Sequence, residues 1–525
     1  MSANKLMSLL NGRNRNNVFS EVYHMNACAR IVHFSRNISR AFVCLLTFNL
    51  SGCLLGPDYQ QPDIDVPEAW QSVAIPGAEA SSPLSSAALP DVNWWERFNN
   101  EELSSLISLA LRKSHDIKEA SLRVLEGRAL TTASGAGLYP QVNVNGSYSR
   151  NRRSETILVN PTGGSPEGFA PPGANFDVWN ALLDLRWELD LWGRIRRGME
   201  AVEADADALE MERRGIVLSL ISDVGDSYFR LRELDEQIEI AEKNLALRQD
   251  SFNLLKNRAE AGLISDLDVK RAEMLVAESA VQIPELHRQR IVRAHHLEVL
   301  TGSNPNTLVF SRRSLGKVLS QPMIPVGLPS DLLTRRPDIV QVEQMLIAAN
   351  ARIGEARAYF FPSLSITGNG GFQSSEFDQW FNWASRSMSI GPSMTLPIFL
   401  GKTNVARLEI AEVRYEQMLQ RYHQTILNAF REVSDLLVAL QTRREQLQHQ
   451  GIQVAAAKEA HELAEIRYQK GLVTYLDVLD AQRSVLNAEQ SLVATKRARL
   501  TEIVALYKAV GGGWAEETLA MVSED

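Results

Sequence analysis

The residues in this 525-residue chain whose types could do chemistry fall in three places, none of which is complete for catalysis. His461-Glu462 opens like the helix of a zinc protease, but the position four residues on is Glu465, not a second histidine, so no ligand pair forms on one face. His295 and His296 are adjacent, and neighbours on a helix point about 100° apart, so they are surface residues rather than ligands. Asp477, Asp480 and Arg483 lie at i, i+3 and i+6, near one helix face, where they can hold a row of charge. There is no P-loop, no dinucleotide fingerprint and no Ser/His/Asp set. The chain therefore reads as a non-enzyme that needs no cofactor and no metal.

Charge and cysteines narrow the class further. Residues 1–52 hold six basic residues and one acidic one, while the whole chain has a net charge of −8, so the remainder is strongly acidic. An acidic body argues against a nucleic-acid partner. No run of eighteen apolar residues is present, so no transmembrane helix is expected. Arg36 and Arg40 precede the short apolar stretch Ala41–Phe48, and Leu50-Ser51-Gly52-Cys53 follows, which describes a secretory signal peptide over 1–52. Its end resembles a bacterial lipoprotein box, which implies lipidation of Cys53 as the first mature residue. Leu54 follows, not the aspartate that would resemble an inner-membrane retention signal. Met25 would start a signal of ordinary length. With Cys28 and Cys44 removed, the mature chain keeps one cysteine and no intrachain disulfide.

The chain is internally duplicated. Leu111–Ile117 matches Leu333–Ile339, and Pro140 matches Pro362, at an offset of 222; Arg258–Val269 matches Arg467–Val478 at 209. An enlarged Gly/Pro/Ser-rich loop at Asn160–Asn175 accounts for the difference. The expected organisation is a tether and equatorial segment at 53–100, a first repeat at 101–303, a linker at 304–327, a second repeat at 328–513 and a tail at 514–525. Each repeat runs helix, strand, loop, strand, very long helix, turn, helix.

Strands are expected near 138–150, 176–191, 362–373 and 386–399, because each alternates apolar and polar residues with period two. Val142, Val144 and Tyr148 alternate with Gln141, Asn143 and Asn145; Leu183, Leu185 and Trp187 alternate with Asp184, Arg186 and Glu188. A half-buried soluble sheet and a membrane barrel share this pattern; the export label favours the barrel. Four strands cannot close one, since single-chain barrels begin at about 8, and open edges in lipid leave unpaired backbone groups. Copies must pool their strands.

From Arg194 to Ala261 and from Lys402 to Lys470 there is no proline, so each span can form a helix of roughly 100 Å. Leu427, Phe430, Val433, Leu437 and Leu440 suggest helix-on-helix packing. Both spans end in Gly-Leu-[Ile/Val]-[Ser/Thr]-x-Leu-Asp-Val. Gly262 and Gly471 suit the left-handed position after a helix, and Ser265 and Thr474 precede Asp268 and Asp477 by three residues, close to a capping box. These are tips of helical hairpins, made twice.

Gly56-Pro57-Asp58-Tyr59, Trp94-Trp95 with Phe98, Trp187–Arg194, Gly327–Asp338, Ala358–Pro362 and Tyr475–Arg483 together resemble the outer-membrane efflux factor family, in its NodT-like lipoprotein branch. The resemblance spans nearly the whole mature chain. It implies a mixed all-α and membrane β-barrel fold: a homotrimer with a twelve-stranded barrel, four strands per protomer, continued by a long α-helical periplasmic barrel with an equatorial domain. It implies a passive exit duct for drugs or other small toxic compounds, anchored in the outer membrane through Cys53. Its partners would be a periplasmic adaptor (membrane fusion) protein and an inner-membrane pump of the resistance-nodulation-division type. The tips at Gly262, Leu263, Ser265 and Gly471, Leu472, Thr474 resemble those that meet the adaptor, and Leu476, Asp477, Asp480 and Arg483 resemble a periplasmic gate. Asp477 as a mere cap, and Asp480 with Arg483 as a solvated pair, remain alternatives. Two other readings of the chain are the exit duct of type I protein secretion and a lipid-anchored coiled-coil scaffold without a pore.

Overall fold

The computed structural model describes residues 54–68, 70, 93–156, 173–315 and 329–512. The expected signal segment, Cys53, most of the enlarged loop, the later part of the linker and the tail lie outside the described residues. A 3-10 turn, Trp94–Phe98, leads into α1 (Glu101–Lys113), α2 (His115–Gly135), β1 (Gln141–Arg152), β2 (Asn175–Leu189), α3 (Arg194–Glu260) and α4 (Asp266–Leu300). The second repeat gives α5 (Asp331–Arg335), α6 (Pro337–Ala358), β3 (Ser363–Ser374), β4 (Arg386–Thr395), α7 (Thr403–Gln469) and α8 (Tyr475–Ala509). The duplication is preserved to the residue in its long hairpins: α3 and α7 each have 67 residues, α4 and α8 each 35.

Local chemistry explains the starts and stops. The Asn100 side chain accepts from Leu103 N at 3.1 Å, capping α1, whose first turn is acidic (Glu101, Glu102) and last turn basic (Arg112, Lys113). Pro337 opens α6, where its missing N–H is not needed. β1 begins at 141, not 138, because Ala136–Leu138 is a 3-10 turn and Pro140 has no N–H to give. β2 stops at Leu189, short of 191, because Asp190 turns its carboxylate back to accept from Ile195 N and Arg196 N, each at 3.0 Å, which opens α3. β4 ends at Thr395, not 399: Pro397 cannot donate to the ladder.

The compact units do not follow the repeats. Leu138–Arg196 and Ala358–Ile398 form one unit, since the strand pairs of both repeats join a single sheet; Gly56–Gly137, Arg197–Arg357 and Phe399 onward form the other. The sheet is antiparallel throughout, in the order β1-β2-β3-β4, so among the described residues β1 and β4 each leave one edge unpaired. In β3, Gly371 is required by close approach, because a Cβ there would lie 2.1 Å from the Ala181 carbonyl oxygen of β2.

In the helical unit the core is aromatic. Trp94 stacks on Tyr507 at 4.5 Å, and Phe98 packs on Phe229 at 5.4 Å. Within α7 the buried stripe is Tyr422, Ile426, Ala429 and Val433. Of the residues expected to pack, Val433 is buried and Phe430, Leu437 and Leu440 are half-buried, but Leu427 is 62 % exposed. One residue past Ile426 turns it about 100° off the stripe. The early chain is strapped to this unit: Asp58 pairs with the buried Arg197 at 2.7 Å, Tyr59 donates to Glu343, and Asn350 Nδ2 donates to the Pro57 carbonyl.

The start of the linker is fastened by buried charge. Glu298 accepts from the backbone N–H groups of Asn306, Thr307 and Leu308, each at 2.7 Å. Burial pushes its carboxyl up, but these three donors more than offset that and hold it below the ordinary value. Arg232, fully buried, binds Asp235 at 2.6 Å, Glu102 at 2.7 Å and the Ser311 carbonyl, while Arg290 reaches the same Asp235 at 2.6 Å.

Candidate functional site

The residues singled out by the sequence gather in two regions, the hairpin tips and the sheet faces. Both tips are built alike. Gly262 has φ 72° and Gly471 φ 70°, conformations open to glycine. Leu263 N donates to the Arg258 carbonyl and Gly262 N to that of Ala259; Leu472 N donates to Arg467 and Gly471 N to Tyr468. This double pattern ends each long helix with its last carbonyls satisfied. In the first tip Ser265 Oγ accepts from Leu267 N at 3.1 Å and caps α4. In the second, Asp477 Oδ2 accepts from both Thr474 N (2.8 Å) and Thr474 Oγ1 (2.7 Å), completing a capping box for α8.

The tips also present apolar surface. Leu263, Leu267, Leu472 and Leu476 are each more than half exposed. The two tips meet through residues that period and spacing did not single out. Arg258 lies over the Tyr468 ring at 5.2 Å, and Tyr468 packs on Tyr475 at 5.5 Å. Burial pushes the ionisation of Tyr475 up. Two aromatic residues flanking the second tip, and a basic residue at the end of the long helix of the first repeat, were the available signal.

Asp480 and Arg483 form an exposed i,i+3 pair at 2.6 Å on α8, one to two turns beyond the Asp477 cap. Leu476 and Asp477 are exposed on the same turn. The four residues named from sequence thus sit together at the start of one helix, with Asp477 committed to the cap. Its hydrogen bonds to the Thr474 hydroxyl and backbone hold its carboxyl below the ordinary value. A carboxylate so depressed lends its stability above the ordinary carboxylate range and withdraws it as pH falls through the lowered value. Hydrogen exchange, corrected for intrinsic rate, is expected to show the Thr474 amide protected at neutral pH and opening only in strong acid. In Asp477→Ala it should exchange fast at every pH; unchanged protection there would refute the cap.

The register of the sheet sorts every side chain to a face. One face carries the rows Val142–Leu185–Gly368–Ile390, Val144–Leu183–Gly370–Met388 and Trp187–Ile366–Pro392. The other carries Gln141–Arg186–Thr367, Asn143–Asp184–Asn369–Ser389 and Glu188–Ser365–Ser393. Leu182, Val178 and Phe176 are the apolar exceptions that β2 places on the charged face. The middle of the apolar face is uncovered among the described residues: Val144 is 79 % exposed and Met388 84 %. Aromatic residues bound it, with Trp187 at one end and Tyr148 and Trp179 at the other; the eight steps from Trp179 to Trp187 span about 26 Å along a strand. An outward apolar band roughly 25 Å tall between aromatic girdles is the mark of an outer-membrane strand. No helix among the described residues is long and apolar enough to cross a membrane.

The sequence profile described as outer membrane efflux protein matches residues 106–303 and 328–512, both repeats. The chain belongs to this family. It is 35% identical over 480 residues to the probable efflux pump outer membrane protein TtgC of Pseudomonas putida, covering 91% of this chain and 96% of that one. It is 33% identical to the cation efflux system protein CusC of Escherichia coli, over 89% of this chain and 97% of the relative. Among solved structures it resembles the outer-membrane channel OprN, with a TM-score of 0.78 and 31% identity over 88% of this chain and 100% of that one. Outer membrane efflux proteins are channel components, not enzymes, and the uncovered apolar face and charged opposite face are what such a channel requires of its strands.

Proposed function

We propose that three copies of the chain close into a passive exit duct for small toxic compounds across the periplasm and outer membrane. The carrying observation is the four-stranded sheet with one uncovered apolar face, one charged face and two open edges. Pooled between three protomers, the β1 edge of one copy meets the β4 edge of the next, twelve strands close, and no backbone edge remains in lipid. The charged face with Asp184, Arg186 and Glu188 then lines water. Cys53 carries the lipid anchor in the outer membrane. The long hairpins build the periplasmic duct, and their leucine-bearing tips receive a periplasmic adaptor that joins the duct to an inner-membrane pump of the resistance-nodulation-division type. The names of TtgC and CusC, efflux proteins, favour this over type I protein secretion.

In this reading Leu476, Asp480 and Arg483, repeated about the threefold axis, narrow the periplasmic mouth, and the Asp480 ring there favours cations. The Asp480→Ala, Arg483→Ala double variant is expected to raise closed-state conductance in planar bilayers severalfold. An unchanged conductance removes the gate from these residues. The duct as a whole is tested by a susceptibility panel: a deletion strain should become sensitive to several unrelated drugs or solvents and recover on complementation. Wild-type resistance throughout, with no channel activity from purified protein, overturns it.

A further inference from the structure

The segment between β3 and β4, residues 375–385, is unusually aromatic and lies against the apolar face of the sheet rather than over the charged one. Phe377 and Trp380 pack on Trp179 at 4.9 and 5.3 Å, and Phe381 packs on Phe372 at 5.7 Å; both partners belong to the apolar face. Phe377, Phe381 and Trp383 are about two-thirds exposed, so the shelf prolongs the lipid-facing surface past the end of the ladder. Arg386, in the row Ala181–Phe372–Arg386, is on that same face and stacks on Trp383 at 4.3 Å. Among the described residues it has no carboxylate partner, whereas at this end Arg150 lies by Asp177 and Arg152 by Glu155. Trp380 Nε1 is shielded from water and has no acceptor among the described residues.

A cation without a counter-charge, an indole donor in want of an acceptor and a broad aromatic shelf on a lipid-facing surface fit one kind of occupant. We propose that this shelf binds a phosphorylated glycolipid of the outer leaflet, with acyl chains against Phe377, Phe381 and Trp383 and a phosphate on Arg386. The site rests on the membrane-barrel reading above, which puts this end of the sheet at the outer surface. A phosphate fits better than a carboxylate of a second protomer, because the guanidinium is at headgroup level, where tryptophan and arginine side by side satisfy both halves of an amphiphile.

The test is native mass spectrometry of the full-length protein in detergent, counting bound lipid with three probes: bis-phosphorylated lipid A, its dephosphorylated form, and phosphatidylethanolamine. Wild type should retain bis-phosphorylated lipid A in preference to both others. Arg386→Gln should weaken that binding about five-fold, the worth of one basic residue at a lipid surface, and remove the preference, while Arg386→Lys keeps it. Trp383→Leu should weaken both lipid A forms alike. Equal retention of the phosphorylated and dephosphorylated forms, or unaltered binding by Arg386→Gln, overturns the site, as does equal binding of phosphatidylethanolamine. Planar-bilayer conductance of wild type is read in parallel: a conducting wild type lacking lipid preference sinks this site alone, and a non-conducting one sinks the barrel on which it rests.

Discussion

Val144→Lys is expected to empty the outer membrane of assembled channel, and Asn143→Lys, one residue away, is expected to leave it in place. Val144 shares a row with Leu183, Gly370 and Met388, and Leu183 is midway between Trp179 and Trp187. A lysine at the lipid midplane of a barrel costs about 2–4 kcal/mol, and a trimer carries it three times. Asn143 shares its row with Asp184, Asn369 and Ser389, where a lysine faces water and gains a carboxylate neighbour. If the sheet were water-exposed, Val144 is so open in the lone chain that a lysine there would be nearly neutral. Heat-resistant trimer in outer-membrane fractions measures the outcome; equal levels for both variants would place the apolar face in water.

Arg232→Ala should be the most damaging single change in the helical unit. The guanidinium has no solvent exposure and is held by Asp235, Glu102 and the Ser311 carbonyl. Removing one partner of a buried ion pair costs about 3–5 kcal/mol, since the remaining carboxylate keeps its burial and loses its counter-charge. Arg290 still touches Asp235, which limits the loss to the lower part of that range. Urea unfolding followed by far-ultraviolet circular dichroism should show the midpoint falling, and proteolysis should open the linker near Ser311. A midpoint within error of wild type would show that the buried cluster contributes nothing net.

Much of this was legible in the chain because its signals are local and doubled. The period-two runs sort the central rows of the sheet to their faces, with Leu182, Val178 and Phe176 breaking the alternation, and Gly262 and Gly471 mark both helix ends because a positive φ after a long helix needs little context. Capping by Asp477 follows from a three-residue spacing and could be read directly. The ends of strands were less legible: β2 stops at Leu189 because Asp190 is recruited to cap α3, a competition that alternation alone does not display. Leu427 was misplaced for a similar reason, since a run dense in apolar residues supports two stripes and only packing against Trp70, Phe430 and the Tyr422 line selects one. The meeting of the tips through Arg258, Tyr468 and Tyr475 joins residues some two hundred positions apart, beyond any periodicity. The aromatic shelf at 375–385 reads as an ordinary loop until its rings are seen on Trp179 and Phe372.

In the proposed duct the two borders of the sheet find their partners in other copies of the chain. The native mass of the detergent-extracted, folded protein tests this most directly. Three chains in one particle are predicted, with β1 and β4 amides as protected from exchange as those of β2 and β3. A folded monomer whose outer-strand amides exchange freely would contradict it.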